Sequence, residues 1–210
     1  MSDFFEPPPQ TPPPRRPPRY RRPAWLGPPE GTLPGVLALE CMLARSGRAV
    51  VWVSHLGVYP AGFGFEVVVH APEGDDELDP FEFGHVRRRA RAELPAGLLR
   101  LGVQFPDGSK ATNTGGRGRG LGTPPSPVMH AGNGGGGGRH WRQEQWVWPL
   151  PPADAAEPTL LACEWPAAGI PLTTHELDVR AIHAAAARAE VVFSDAHLPE
   201  PPAGDVNEIR

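Results

Sequence analysis

The residue types best suited to chemistry fall on the polar faces of predicted strands. Side chains alternate across a β-strand, so apolar residues at every second position place the intervening residues on the opposite face. Where Phe65 and Leu101 point inward, Glu66 and Arg100 must point outward. The same alternation gives the following candidate binding residues: Glu66, His70, Arg100, Arg142, Trp146, Trp148 and Glu164.

Tryptophan and arginine carry much of the binding energy at interaction surfaces. Exposed Trp146 and Arg142 therefore predict a binding surface and no catalytic residue. Two other interpretations stay open. In the first, the face is solvated and carries cross-strand ion pairs that contribute about 0.2–1 kcal/mol each. In the second, an enzyme site forms from four groups that converge within about 5 Å: Glu66, His70, Arg100 and Glu164.

The histidines form no recognisable metal motif. None has the i, i+4 helical spacing of a zinc site, and the chain contains no C-x-x-C pair. We therefore predict neither a metal site nor a cofactor. Ser54 precedes His55, but neighbours along a regular strand point to opposite faces, so this dipeptide is not expected to be a nucleophile–base pair. Either residue could pair with a group elsewhere.

Arginine-bearing, low-complexity segments suggest two further kinds of partner. Residues 1–22 combine proline clusters with five arginines and two acids, and residues 115–120 are Gly-Gly-Arg-Gly-Arg-Gly. Polyproline segments are ligands for aromatic grooves, whereas Arg-Gly segments bind single-stranded nucleic acid. Because the net charge is −4 and no aromatic residue lies among these glycines, a protein partner is favoured, and a nucleic-acid accessory protein is the alternative.

Proline and glycine set the predicted domain boundaries. The chain has 29 Pro and 25 Gly, about a quarter of its 210 residues, and both are clustered. Such stretches cannot form a packed core. We predict a disordered Pro/Arg-rich arm over 1–22, a single β-rich domain over 23–193 with flexible loops at 72–95 and 115–138, and a disordered tail over 194–210.

The sequence predicts a cytoplasmic protein that makes no membrane contact. Residues 1–9 lack the basic and apolar regions of a secretory signal, and the longest apolar runs are far shorter than the roughly 18–20 residues of a membrane span. Cys41 and Cys163 are distant in sequence. In a reducing compartment they are expected to be buried thiols.

Alternating apolar residues predict about seven strands and a mainly β fold. The first three are joined by short turns into an antiparallel meander. The predicted strands are 33–44, 48–59, 63–71, 98–105, 110–114, 140–148 and 160–165. Thr173 and Glu176 have capping-box spacing, and the apolar positions that follow predict a helix of about 17 residues. The fold class is an antiparallel β-sandwich or open barrel with one C-terminal α-helix.

Three strings resemble an uncharacterised protein family of GC-rich bacteria: Trp25–Pro29, His55–Phe65 and Gly102–Gly108. The similarity covers most of residues 20–193. That family carries no known activity, so the resemblance implies no site residue. The interpretation favoured by the residues themselves is a non-enzymatic binding or scaffold protein that uses a β-sheet face and a Pro/Arg-rich arm.

Overall fold

A computed structural model describes most of the chain between residues 20 and 199. The described residues are 20–72, 78, 94–114, 124–137, 139–155, 157–194 and 196–199. Their strands are β1 Thr32–Leu33, β2 Gly35–Arg45, β3 Val50–Tyr59, β4 Gly62–His70, β5 Arg100–Gln104, β6 Lys110–Thr112, β7 Val128–Gly137, β8 His140–Trp148, β9 Thr159–Trp165, β10 Ile170–Leu177 and β11 Glu190–Val191. A 3₁₀ turn, Pro166–Ala168, follows β9, and helix α1, Val179–Ala186, follows β10.

Two antiparallel sheets form the body of the fold. One has the strand order β2-β3-β4-β8-β7, and the other has the order β10-β9-β5-β6. Edge strand β2 contacts β10, and edge strand β7 contacts β6, so the two sheets meet along both sides. The predicted fold class, a mainly β antiparallel sandwich or barrel with one helix, is confirmed.

One hydrophobic core lies between the sheets. Alternate residues of β4, of β5 with the residue on either side of it, and of β9 are buried in it, as the sequence pattern predicts. These inward residues include Phe63, Phe65, Val67, Val69, Leu99, Leu101, Val103, Phe105, Leu161, Cys163 and Trp165. The indole N–H of Trp165 donates to the Gly97 carbonyl at 2.8 Å, so this large core residue has its polar atom paired.

Both thiols belong to this core. Cys41 and Cys163 are free and buried, as predicted. Burial raises the pKa of the Cys41 thiol. Burial, together with the charges of Cys41 and Glu164, raises the pKa of Cys163 to about 12. The thiols therefore stay protonated at neutral pH and act as apolar packing groups.

β-Bulges interrupt three strands of the five-stranded sheet at the same level. The pairing register shifts in β2 between Ala38 and Cys41, in β3 between Val53 and Leu56, and in β7 between Ala131 and Gly134. A bulge adds a residue to one strand and breaks the alternation of side chains locally. Within the β2 bulge, Glu40 has a φ of 44°, which is a costly conformation for a residue other than glycine.

The structure differs from the sequence prediction over the glycine-rich stretch. Part of the predicted loop at 115–138, Val128–Gly137, is strand β7, which pairs with β8. Glycine is needed at position 136 of this strand, because a Cβ there would collide with the backbone of His140 and Trp141. Residues 115–123 and 138 lie outside the described residues.

The predicted capping box and long helix are wrong. Thr173 and Glu176 lie in β10, which pairs with β9. The helix begins later, and the carboxylate of Asp178 caps it by accepting the backbone N–H groups of Arg180 and Ala181. One acidic side chain thus supplies the cap that the Thr/Glu pair was expected to provide. Only the first part of the predicted apolar stripe is helical, and Phe193 is exposed.

The two ends of the described chain lie beside each other. The Arg21 N–H donates to the Pro199 carbonyl at 2.8 Å, and β1 pairs with β11. Most of the predicted arm and tail lies outside the described residues. Within the predicted loop at 72–95, Leu78 is described and is buried in the core. No helix in the described part of the chain is long and apolar enough to cross a membrane.

Candidate functional site

The predicted site residues divide between the outer faces of the two sheets. Those on β4 and β8 of the five-stranded sheet are Glu66, His70, Arg142, Trp146 and Trp148. Arg100 and Glu164 lie on β5 and β9 of the four-stranded sheet. The enzyme hypothesis requires Glu66 and His70 to meet Arg100 and Glu164. Because the core separates the two faces, the structure does not bring these residues together.

Trp146 is covered by the chain itself. It is 5% exposed, its indole N–H donates to the Ala24 carbonyl at 3.0 Å, and Tyr59 packs edge-on against its ring. Trp25 is also buried, with its ring centroid 5.8 Å from that of His130. The prediction of an exposed Trp146 is therefore wrong.

Polar residues cross the middle of this face at the level of the bulges. Glu66 and Glu144 lie directly opposite each other on β4 and β8. The β3 bulge exposes both Ser54 and His55, and Ser54 Oγ lies 2.9 Å from His55 Nδ1. The prediction that these neighbours point apart is wrong, because the bulge breaks the alternation. A nucleophile–base pair also needs a group that orients the base, and no described residue does so for His55.

The far end of the same face carries two histidines. His70 and His140 are register partners with ring centroids 4.5 Å apart, and Trp52 stacks on His70 at 4.7 Å. Desolvation and the charge of His140 lower the pKa of His70. Arg142 is exposed two residues farther along β8. Sequence reasoning found His70 and Arg142 but missed Trp52 and His140, because their proximity depends on strand register.

The outer face of the four-stranded sheet carries a trough. Strand register places small residues in one row across its four strands: Thr174, Ala162, Gly102 and Thr112. Larger side chains stand in the rows on either side, which are about 13 Å apart because they are separated by four residues along a strand. One row contains Leu160, Gln104 and Lys110, and the other contains Arg100 and Glu164. The trough has a volume of about 260 Å³.

The charged groups of the trough lie at its two sides. Arg100 Nη1 donates to Glu164 Oε2 at 2.6 Å, while Arg100 Nε is buried and has no hydrogen-bond partner among the described residues. Lys110 is exposed on the other side, and no carboxylate of the described residues pairs with it. Among the described lining residues two are cations and one is an anion, so an anionic ligand group would be attracted to the trough.

Two leucines form an apolar rim on the Arg100 side of the trough. Leu94 is 45% exposed and Leu172 is 66% exposed, and both line the trough. On the other side, the partly buried Leu160 adds apolar surface. The trough therefore combines an apolar rim and floor with few charged groups, which is the usual composition of a small-molecule site.

Gly102 gives the trough its depth. It lies in the middle of β5, and its φ is not positive. A Cβ added there would meet its nearest atoms, on Ala111 and Thr112, at 3.4 Å, which is an ordinary contact. The fold therefore accepts alanine at this position although glycine weakens a strand. A mid-strand glycine of this kind often marks the close approach of a ligand or another backbone.

Comparisons with known proteins leave the geometry as the basis for function. No family model matches the chain, and no curated protein or solved structure matches it either. The resemblance to a protein family of GC-rich bacteria therefore stays a prediction. Within the described ranges, no group of three or more His, Cys, Asp or Glu side chains is placed to hold a metal ion.

Proposed function

We propose that this protein is a non-enzymatic binding protein whose ligand, an organic acid with an apolar chain, lies in the trough of the four-stranded sheet. The observation that carries the proposal is the floor formed by Gly102 and Ala162, where the fold itself does not require a glycine. Larger residues at these positions would fill the space. The missing side-chain volume is therefore best explained by a ligand.

The lining residues support this ligand class. An apolar chain over Gly102 and Ala162 would contact Leu160 and Leu172, and each buried methylene contributes about 0.8 kcal/mol. An acidic head group would meet Lys110, whose ammonium group has no carboxylate partner among the described residues. A cationic head group would gain less, because Glu164 is already paired with Arg100.

The predictions for the Pro/Arg-rich arm and for the cellular location are compatible with a ligand in the trough. Trp25 anchors the chain on the five-stranded sheet, on the opposite side of the sandwich from the trough. A protein partner held by the Pro/Arg-rich arm would bind residues other than the described ones that line the trough. We also infer a cytoplasmic location, which two free, protonated thiols support. Nucleic-acid binding through residues 1–22 or 115–120 stays an alternative.

The single lysine provides a direct experiment. Lys110 is the only lysine in the chain, so reductive methylation with ¹³C-formaldehyde, which keeps the charge, gives one lysine signal by NMR. Titration with butanoate, hexanoate and octanoate should shift this signal, and affinity should rise by up to about fourfold per methylene. Octylammonium, with the same chain and the opposite charge, should bind more weakly. Equal binding of octylammonium would contradict the proposal.

Variants of the floor locate the binding site by calorimetry. Ala162→Leu and Gly102→Leu should each weaken octanoate binding by at least about tenfold, because the added side chain occupies the space of the ligand. Ala38→Leu makes the same change at an exposed position on the other sheet and should leave binding unchanged. Lys110→Gln should weaken octanoate binding and leave octanol binding intact. If the floor variants bind octanoate normally, the trough is not the site.

A further inference from the structure

The histidine pair of the five-stranded sheet is a second candidate site. His70 ends β4 and His140 begins β8, so the pair lies on the opposite side of the sandwich from the trough. We infer that His70 and His140 bind one transition-metal dication, with Cu²⁺ held most tightly. This inference does not depend on the function proposed for the trough.

The ring separation fits chelation of one metal ion. A metal–nitrogen bond of about 2.0–2.1 Å places the ion about 3.2 Å from each ring centre, and an N–metal–N angle between about 90° and 109° then separates the two centres by about 4.5–5.2 Å. The observed separation of His70 and His140 is 4.5 Å, and their ring planes are inclined by 54°. Both imidazoles can therefore approach one ion with small side-chain rotations.

The neighbouring residues hold this geometry in place. The two histidines are direct partners in the antiparallel ladder of β4 and β8, which fixes their backbones. Trp52 stacks on His70 with ring planes 28° apart, which restricts that imidazole. Two ligands fixed before binding lose less conformational freedom than two mobile ones. The pair is thus better prepared for chelation than two histidines on a loop.

The space next to the pair allows further coordination. Gly137 is the register partner of His140 on β7, and a Cβ added there would meet no atom of the described residues within 4 Å. The described residues therefore leave the remaining coordination positions of the ion open to water or to an external ligand.

The nearby charges favour the metal with the strongest imidazole bonds. Arg142 lies on the same face, at the next outward position of β8, and Arg45 lies in the row of His70 two strands away. Both cations oppose a dication, and Glu66 is the nearest carboxylate on β4. Among first-row dications Cu²⁺ forms the most stable complexes with nitrogen ligands, followed by Ni²⁺ and Zn²⁺. We therefore expect that order of affinity.

Copper titration of the full chain, prepared without a polyhistidine tag, tests the site. One equivalent of Cu²⁺ should bind and quench tryptophan fluorescence, because Trp52 contacts His70. The electron paramagnetic resonance spectrum should show nitrogen ligands. Trp52→Phe should keep the nitrogen ligands and lose most of the quenching. Failure to bind at micromolar to low millimolar Cu²⁺ overturns the inference.

Histidine variants distinguish this pair from scattered binding. His70→Gln and His140→Gln should each weaken Cu²⁺ binding by at least about tenfold, because each removes one arm of the chelate. His55→Gln removes an exposed histidine from the same sheet face and should change nothing. Far-UV circular dichroism checks that each variant folds. Equal losses in all three variants, or no loss in the first two, show that the pair is not a chelating site.

Discussion

The two outer faces of the sandwich differ in what lies over them. On the five-stranded sheet, the chain passes over Trp146 and buries both it and Trp25. On the four-stranded sheet, Gly102 and Ala162 form the floor of an open trough, and Leu172 is exposed at its rim. The two tryptophans on the first face stabilise the fold, whereas Gly102 and Ala162 on the second face leave space for a ligand.

Glycines show the same difference between the faces. Gly62 on β4 lies so close to β8 that a Cβ would collide with the Val147 carbonyl and the Trp146 ring. A Cβ at Gly102 would make only ordinary contacts. The first glycine is required by packing and the second is not. A mid-strand glycine therefore indicates a binding site only after the close approach of neighbouring backbone has been ruled out.

Trp25→Ala should have the largest effect on stability of the variants that test this difference between the faces. The side chain is buried, so its loss should lower the free energy of unfolding by about 3–5 kcal/mol, measured by urea denaturation. Phe193→Ala, which removes an aromatic residue that is 74% exposed, serves as the control and should cost less than about 0.5 kcal/mol. Small and equal losses in the two variants would show that the segment around Trp25 does not stabilise the five-stranded sheet.

Two glycine substitutions sharpen the contrast with opposite signs. Gly62→Ala should destabilise the fold by about 1–3 kcal/mol because it overpacks β4 against β8. Gly102→Ala should stabilise it by about 0.5 kcal/mol because glycine weakens a strand. Chemical denaturation of both variants gives the two values. Destabilisation by Gly102→Ala would mean that the fold requires this glycine, which removes the main support for the trough as a site.

Glu164→Gln should have a smaller effect on stability and a distinct effect on binding. The ion pair with Arg100 is partly exposed, so its loss should cost about 0.5 kcal/mol, measured as above. The variant also removes the one anion among the described residues of the trough lining. Octanoate affinity should therefore rise. A fall in affinity would indicate that Glu164 contacts the ligand and that the predicted head group is wrong.

The smallest expected effect is a pH dependence at the histidine end of the five-stranded face. The pKa of His70 is lowered from 6.5 by desolvation and by His140. Its contribution to stability is therefore complete above pH 6.5 and is lost as pH falls below that value, because the unfolded chain then binds more protons. Thermal unfolding between pH 7.5 and about 5 should show this loss, reduced in His70→Gln. An unchanged profile in that variant would contradict the assignment.

The sequence predicts the fold class and most inward positions because these depend on local alternation. Strand β8 has the predicted bounds, and the apolar sides of β4, β5 and β9 are correct. Alternation fails where a bulge intervenes, as at Ser54 and His55. The helix prediction fails because Thr173, which has the spacing of a helix cap, lies in a strand that pairs with β9.

The candidate sites depend on contacts that local patterns do not contain. The small residues of the trough come from four strands, and only the registers bring Gly102 beside Ala162. The burial of Trp146 depends on a segment more than a hundred residues away in sequence, whose carbonyl at Ala24 accepts its indole N–H. Outward direction could be predicted for these residues. Coverage by the rest of the chain could not.

The hydrogen bond between Arg21 and Pro199 brings the two flanks of the fold to a common exit. A short linker between these flanks would give a circular permutant, with new termini opened at the Asp107–Gly108 turn. Those termini would emerge next to Lys110, on the trough side. A reporter domain fused there would lie beside the trough and would sense ligand binding directly.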